Sequence, residues 1–171
     1  LKYFYYIMVS LSLNTDIIKL NNDDDYMTPN AVWDSIKHLI PKDKIIWECF
    51  YGNGESGKYL SKIGFNVESY DIDFFNETNF KYDILISNMP YSIKAKVFQK
   101  LAEINKPFMM LVPVATMTKQ YLKKYFKNQI QIIIPERRIQ FIKNGKQTDR
   151  CYFDTIFICY KMNLLSDIVF L

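Results

Sequence analysis

Cysteine is scarce in this 171-residue chain, with three residues, at positions 49, 151 and 159. The number is odd and the spacing suits no metal site, so reduced, mostly buried thiols in a cytosol-like compartment are expected. Histidine occurs once, as His38, which reads as a surface or partly packed helix residue rather than a catalyst. The apolar opening from Leu1 to Leu13 is too short to span a bilayer, and no small-residue cleavage site follows it. It is expected to be an extra strand or a flexible arm, with the natural start nearer Met8 than Leu1. The acidic run Asn21 to Asp25 lacks the glycine and closing glutamate of a calcium loop and reads as a solvated loop. Repeats and Gly/Ser linkers are absent. One domain is therefore expected, with residues 1–25 as an arm, 26–163 as the folded unit and 164–171 as an apolar tail that packs or frays.

What is present suits a globular chain able to bury a real core: 49% hydrophobic and 23% charged residues. The net charge of +4 and a pI near 8.8 are compatible with nucleic acid without demanding it. Tyrosine and phenylalanine number 13 each. With abundant Lys, Asn and Ile they suggest an AT-rich genome, as in some viruses. No membrane partner is expected.

Apolar runs and turn signals alternate in α/β fashion. Thr28 is expected to cap, and Pro29 to open, a helix whose Val32, Ile36, Leu39 and Ile40 recur at helical spacing up to Pro41. Lys44 to Phe50 reads as a buried strand, followed by a glycine turn (Tyr51-Gly52-Asn53-Gly54) and a helix from about Ser56 to Ile63. Gly52 and Gly54 let the main chain bend and approach a ligand. The spacing misses the full Gly-x-Gly-x-x-Gly of dinucleotide enzymes, and Glu55 at the helix start is unwelcome to a pyrophosphate. Phe65 to Tyr70 reads as a second strand ending in Asp71-Ile72-Asp73. A carboxylate there suits a ribose with two free hydroxyls, Asp71 first and Asp73 next. Phe74 to Tyr82 is too short for another helix and strand, so a third strand is expected to be lost.

The pattern converges on Ile84 to Tyr91. An apolar strand runs into Asn88, and Pro90 stiffens a turn that holds the Tyr91 ring just past the strand end. An exocyclic or amide nitrogen is a poor nucleophile because its lone pair is delocalised. Acceptors on its hydrogens draw it toward a tetrahedral shape, and the Asn88 side-chain oxygen and Met89 carbonyl suit that task. Tyr91 would stack on the flat face of the substrate. Downstream, Ser92 is expected to cap a helix striped by Ile93, Val97, Leu101 and Ile104. Strands are expected at Phe108 to Val112, Gln129 to Ile134 and Tyr152 to Tyr160, with a basic helix at Lys119 to Lys127. Asn144-Gly145 is a hairpin turn. Arg137, Arg138, Lys143, Lys146 and Arg150 gather around it with Phe141 among them, offering phosphate contacts and a stacking ring.

Asn88-Met89-Pro90-Tyr91 resembles the Asn/Asp/Ser-Pro-Pro-Tyr/Phe/Trp motif of amino-methyltransferases that use S-adenosylmethionine. Met89 is closer to the Asn-Leu-Pro-Tyr and Asn-Ile-Pro-Tyr of ribosomal RNA adenine dimethyltransferases. Glu48-Cys-Phe-Tyr-Gly-Asn-Gly is similar to their Glu/Asp-x-Phe-x-Gly-x-Gly, and Thr28-Pro29 to the N-terminal cofactor motif of adenine methyltransferases. Motif order, reduced core and basic tail together resemble the phage or viral type of DNA adenine-N(6) methyltransferase over roughly Tyr26 to Tyr160. The resemblance implies an α/β fold: a single Rossmann-like class I domain, its sheet mostly parallel, with an antiparallel C-terminal strand and a reduced third strand. It implies S-adenosylmethionine bound by Tyr26, Thr28, Pro29, Glu48, Phe50, Gly52, Asn53, Gly54, Asp71, Asp73, Asn79 and Phe80, and no metal. Asn88, Met89, Pro90 and Tyr91 would then be catalytic, and Arg137, Arg138, Phe141, Lys143, Lys146 and Arg150 would hold nucleic acid, DNA before RNA. Methylation of RNA adenine or of a protein glutamine stays open, as does a non-catalytic nucleic-acid-binding subunit on the same fold. No large target-recognition domain is evident. Target reading would fall to the 137–150 loop, the N-terminal arm, a second copy or a partner subunit.

Overall fold

The computed structural model describes Asp24 and residues 26–76, 79–148 and 153–171. Expectations for the 1–23 arm, Asp25, Arg150 and Cys151 lie outside these residues.

In chain order the elements are α1 (Asn30–Ile36), β1 (Ile45–Trp47), α2 (Glu55–Lys62), β2 (Asn66–Glu68), β3 (Ile84–Asn88), α3 (Lys94–Ile104), β4 (Phe108–Pro113), α4 (Gln120–Tyr125), β5 (Ile130–Ile134), β6 (Ile142–Lys143), β7 (Lys146–Gln147), β8 (Thr155–Tyr160) and β9 (Ile168–Phe170). Seven strands form one sheet in the order β2-β1-β3-β4-β8-β5-β9, and β6 and β7 form a separate hairpin across Asn144-Gly145. Pairing is parallel from β2 through β4. Strand β8 runs antiparallel between β4 and β5, and β9 runs parallel to β5. Between β2 and β3 the described residues form no strand. The fold is therefore Rossmann-like and shortened at the third strand.

The central strands β3, β4 and β8 are apolar at nearly every position because both faces are covered. Ile84, Ile86, Met109 and Leu111 pack on one face against Trp33, Ile36 and Leu60. Leu85, Phe108, Met110 and Val112 point the other way, against Val97, Phe98, Leu101 and Leu122. Alternating side chains of single strands thus bind helices in two layers. Cys49 and Cys159 are free and buried within these layers, and burial pushes both thiols above their ordinary value. Neither is prepared to act as a nucleophile at neutral pH. Among the described residues no helix is long and apolar enough to cross a membrane.

Three local expectations are corrected. Thr28 caps nothing. Pro29 occupies the N-cap position with extended backbone, α1 begins at Asn30, and no side-chain cap bond forms. The cause is a bridge between Met27 and Ile142, which fixes the chain just before the helix. Ser92 does not cap α3 either. A 3-10 turn over Tyr91–Ile93 comes first, and the Ser92 N–H and hydroxyl both donate to Asp24. Finally, part of the 164–171 tail adds to the sheet as β9, parallel to β5, beyond the expected antiparallel strand, which is β8.

Candidate active site at the strand ends

From β1 the chain moves outward to β2, then returns past β1 to lay down β3. Strand order therefore reverses between β1 and β3, and in open α/β sheets ligands bind outside the carboxyl ends of the strands at such a point. The ends of both strands are tied together there by a buried carboxylate. Glu48 Oε1 accepts the Ser87 hydroxyl, Oε2 accepts the Ser69 hydroxyl at 3.1 Å, and Ser87 Oγ accepts the Phe50 N–H at 3.3 Å. Burial pushes the Glu48 carboxyl up to about 7, against the lowering pull of Ser87, Ser69 and the Phe50 main chain.

The glycine turn follows. Gly52 and Gly54 have φ of 55° and 78°, a left-handed conformation that a side chain would strain. A Cβ at Gly54 would also lie 2.6 Å from Tyr51 Oη, so a side chain there would have to displace the Tyr51 ring as well. Helix α2 starts directly after it.

Across the crevice stands Asn88. Its Nδ2 donates to the Tyr26 carbonyl at 3.0 Å, while its Oδ1 is buried with no hydrogen-bond partner. The anchored amide leaves one oxygen as an unspent acceptor, a costly arrangement unless something supplies a donor. Asp24 straps the adjoining turn. Its Oδ1 accepts the Tyr91 N–H at 2.6 Å and the Ser92 N–H at 3.1 Å, and its Oδ2 takes the Ser92 hydroxyl. From inside the turn the Lys94 ammonium donates to the Tyr91 carbonyl. Burial pulls that ammonium below its ordinary value, opposed by the nearby Asp24 charge.

A crevice of about 100 Å³ brings together Tyr26, Thr28, Glu48, Phe50, Gly52 and Asn53 with Asn88, Met89 and Pro90. Tyr51 also borders it, and lines a neighbouring hollow of about 250 Å³ with Gly54 and Ser69. Thr28 Oγ1, another buried oxygen without a partner, belongs to a residue of the crevice wall. Other expected cofactor residues stand apart from this crevice. Pro29 lines a different cleft. Asp71 and Asp73 are exposed beyond β2, where Asp73 Oδ1 accepts the Phe75 N–H at 3.0 Å. Asn79 is exposed, and the Phe80 ring packs 5.5 Å from Trp47.

Tyr91 meets Phe153 edge-on at 5.4 Å and Phe141 at 6.5 Å. Phe141 is fully buried, which corrects its reading as a stacking ring. The Met27–Ile142 bridge tucks it beneath the strap, so it backs Tyr91 rather than facing a ligand. Of the basic residues, Arg138 is bound by both nitrogens to Asp154, at 2.7 and 3.2 Å. Lys143 Nζ lies over the Tyr26 ring at 5.1 Å, and Arg137 and Lys146 are exposed. Sequence reasoning missed Asp24, Ser69, Ser87 and Phe153. Ser87 was detectable, as the one polar side chain inside the apolar run 84–87.

No family model and no curated protein matches the sequence. Among solved structures, a dimethyladenosine transferase from Plasmodium falciparum is similar with a TM-score of 0.52 and 14% identity, over 78% of this chain and 62% of that one. A chain from Listeria monocytogenes assigned to the class I S-adenosylmethionine-dependent methyltransferases is similar with a TM-score of 0.46 and 16% identity, over 88% of this chain and 65% of that one. The chain thus spans under two thirds of the length of each, and the likeness to the first is one of fold.

Proposed function

We propose that the chain is an S-adenosylmethionine-dependent methyltransferase acting on the exocyclic amino group of adenine in DNA. The observation that carries this reading is the buried, unpartnered Asn88 Oδ1, fixed in place by the bond from Nδ2 to the Tyr26 carbonyl. It is an acceptor waiting for an N–H donor, next to a glycine turn at the switch point of the sheet.

The residues present fit the cofactor. Two adjoining hollows flank Tyr51 at the glycine turn, and one of them is lined by Gly54, where a Cβ would strike the Tyr51 ring. Tyr26, Thr28, Glu48, Phe50, Gly52, Asn53 and Gly54 would hold it. When bound, it supplies an electrophilic methyl carbon on a sulfonium. The chain's own part is positioning. Asn88 Oδ1 and the Met89 carbonyl accept the two amine hydrogens and direct the lone pair inward, Tyr91 stacks on the ring, and the proton leaves to solvent. Adenine in RNA is the second reading, favoured by Met89 in place of the first proline. Labelled methyl transfer to DNA, RNA and protein pools, followed by identification of the modified nucleoside, tests both. Label only in protein, or none anywhere, would refute them.

Two variants probe the corner. Tyr91→Ala should raise the substrate KM by about 5- to 150-fold, the worth of one stacked base, while Tyr91→Phe keeps the ring and stays near wild type. Steady-state kinetics on oligonucleotides decide this, and the reverse order would mean that the ring does not stack. Asp24→Ala releases the N–H groups of Tyr91 and Ser92 and should lower kcat roughly tenfold or more through a displaced turn. Asp24→Asn keeps an acceptor oxygen and should recover part of that loss. Wild-type turnover in Asp24→Ala would show the strap to be dispensable.

A further inference from the structure

A second cleft lies away from the strand ends. It measures about 620 Å³ and lies between α1 and the 135–140 segment, closed by the end of β9. Its apolar wall includes Val32 and Ile139, which are nearly buried, and Phe170, which is 75% exposed. Gln140 also lines it, and the Oε1 of that residue is buried with no hydrogen-bond partner. Arg137 stands at the rim with its side chain 87% exposed, paired among the described residues with Glu136 at 4.0 Å.

We infer that this cleft holds a nucleotide of the substrate strand next to the target adenine, and so reads sequence context; this rests on the proposed methylation of nucleic acid. Its size falls within the range of about 300–1,000 Å³ usual for small-ligand sites, and its lining mixes apolar side chains with polar ones, Gln140 and Gln147 among them. The polar groups suit a nucleotide in particular. A glutamine amide presents the acceptor and donor that a base edge requires. An exposed aromatic ring gives a base a face to stack on, and the exposed Arg137 guanidinium at the rim suits a phosphate. Position agrees. Pro29 lines the cleft, while Tyr26, three residues earlier, touches Asn88. Three residues span at most about 11 Å. That is the span of about three nucleotide steps at 3.4 Å each along a strand. The cleft therefore begins within a few nucleotide steps of Asn88, near enough for a neighbouring nucleotide to reach it.

The test uses the whole chain with labelled oligonucleotides that carry one adenine and varied neighbours. Binding is followed by fluorescence anisotropy and methylation by label transfer. Arg137→Glu, Gln140→Leu and Phe170→Ala should each raise Kd about tenfold, in keeping with a lost stack or phosphate contact. Arg137→Glu should also reduce the slope of log Kd against log salt by about one. Phe170→Ala and Gln140→Leu should flatten the preference among neighbouring nucleotides, which a merely structural role would not do. Because Arg137 is exposed, its charge reversal tests the site without threatening the fold. Wild-type protein that methylates nucleic acid, with variants that bind and discriminate as it does, overturns the cleft assignment alone. Altered self-association with unchanged nucleic-acid binding would assign the cleft to a second copy and overturn it too. Wild-type protein that neither binds nor methylates nucleic acid fails the underlying reading, and does so before any variant is made.

Discussion

Asn88→Ala is expected to lower the turnover of methyl transfer about 10²- to 10³-fold, equivalent to roughly 2.7–4 kcal/mol in the barrier, the usual cost of removing one preorganised polar partner. The size follows from where the lost oxygen sits. Asn88 Oδ1 is buried, so its interaction with a polarised N–H is neither screened nor replaced by water. Its orientation is set in advance by the 3.0 Å bond from Nδ2 to the Tyr26 carbonyl, so little reorganisation precedes reaction. Asn88→Asp keeps an oxygen but loses that N–H and sets a charge against the Tyr26 carbonyl, so it should also be strongly impaired. Cofactor affinity by titration calorimetry should change far less than turnover in both variants. Unaltered turnover in Asn88→Ala would remove the basis of the mechanism.

Glu48→Gln is expected to stabilise the fold above neutrality. The wild-type carboxyl titrates near its ordinary value of 4.5 when unfolded and at about 7 when folded. Between those values the folded chain keeps a proton that the unfolded chain has released. Stability contributed by this group is therefore present in full below about pH 4.5 and declines as pH rises to 7, by about 3 kcal/mol in total. Glutamine is neutral throughout, and its amide can accept from Ser87 and donate to the Ser69 oxygen. Urea unfolding near pH 8 should show the variant more stable by up to that amount, with the gap closing toward about pH 5. Equal stability at both values would mean that the Glu48 proton leaves at its ordinary pH.

Strand positions were legible because parallel strands covered on both faces are almost wholly apolar, and β3 and β4 are such runs. The glycine turn was legible because two left-handed positions so close together admit little else. Asn88 was legible for a similar reason, as a polar side chain at the end of an apolar strand just before a proline. The failures share a cause, dependence on contacts distant in sequence. Asp24 lies in an acidic run that reads as solvated, yet it grips a turn 67 residues away. Thr28 has every local mark of a cap but is fixed by a bridge to Ile142. Phe141 sits among basic residues and reads as surface. The polar–apolar alternation of Arg138-Ile139-Gln140-Phe141 was the available signal. The β9 residues carry too short a pattern to announce a strand.

The position of β8 has a bearing on how the molecule is made. Residues 155–160 are inserted between β4 and β5, strands completed some 20 to 40 residues earlier. Until that segment leaves the ribosome, β4 has an unpaired edge beside an apolar surface, and β5 has no neighbour from the first half of the chain. Such separation between partners slows folding and prolongs the exposure of sticky edges. Release of a nascent chain halted before residue 155 should therefore yield aggregated protein, whereas one extended past β8 by enough residues to clear the exit tunnel should not.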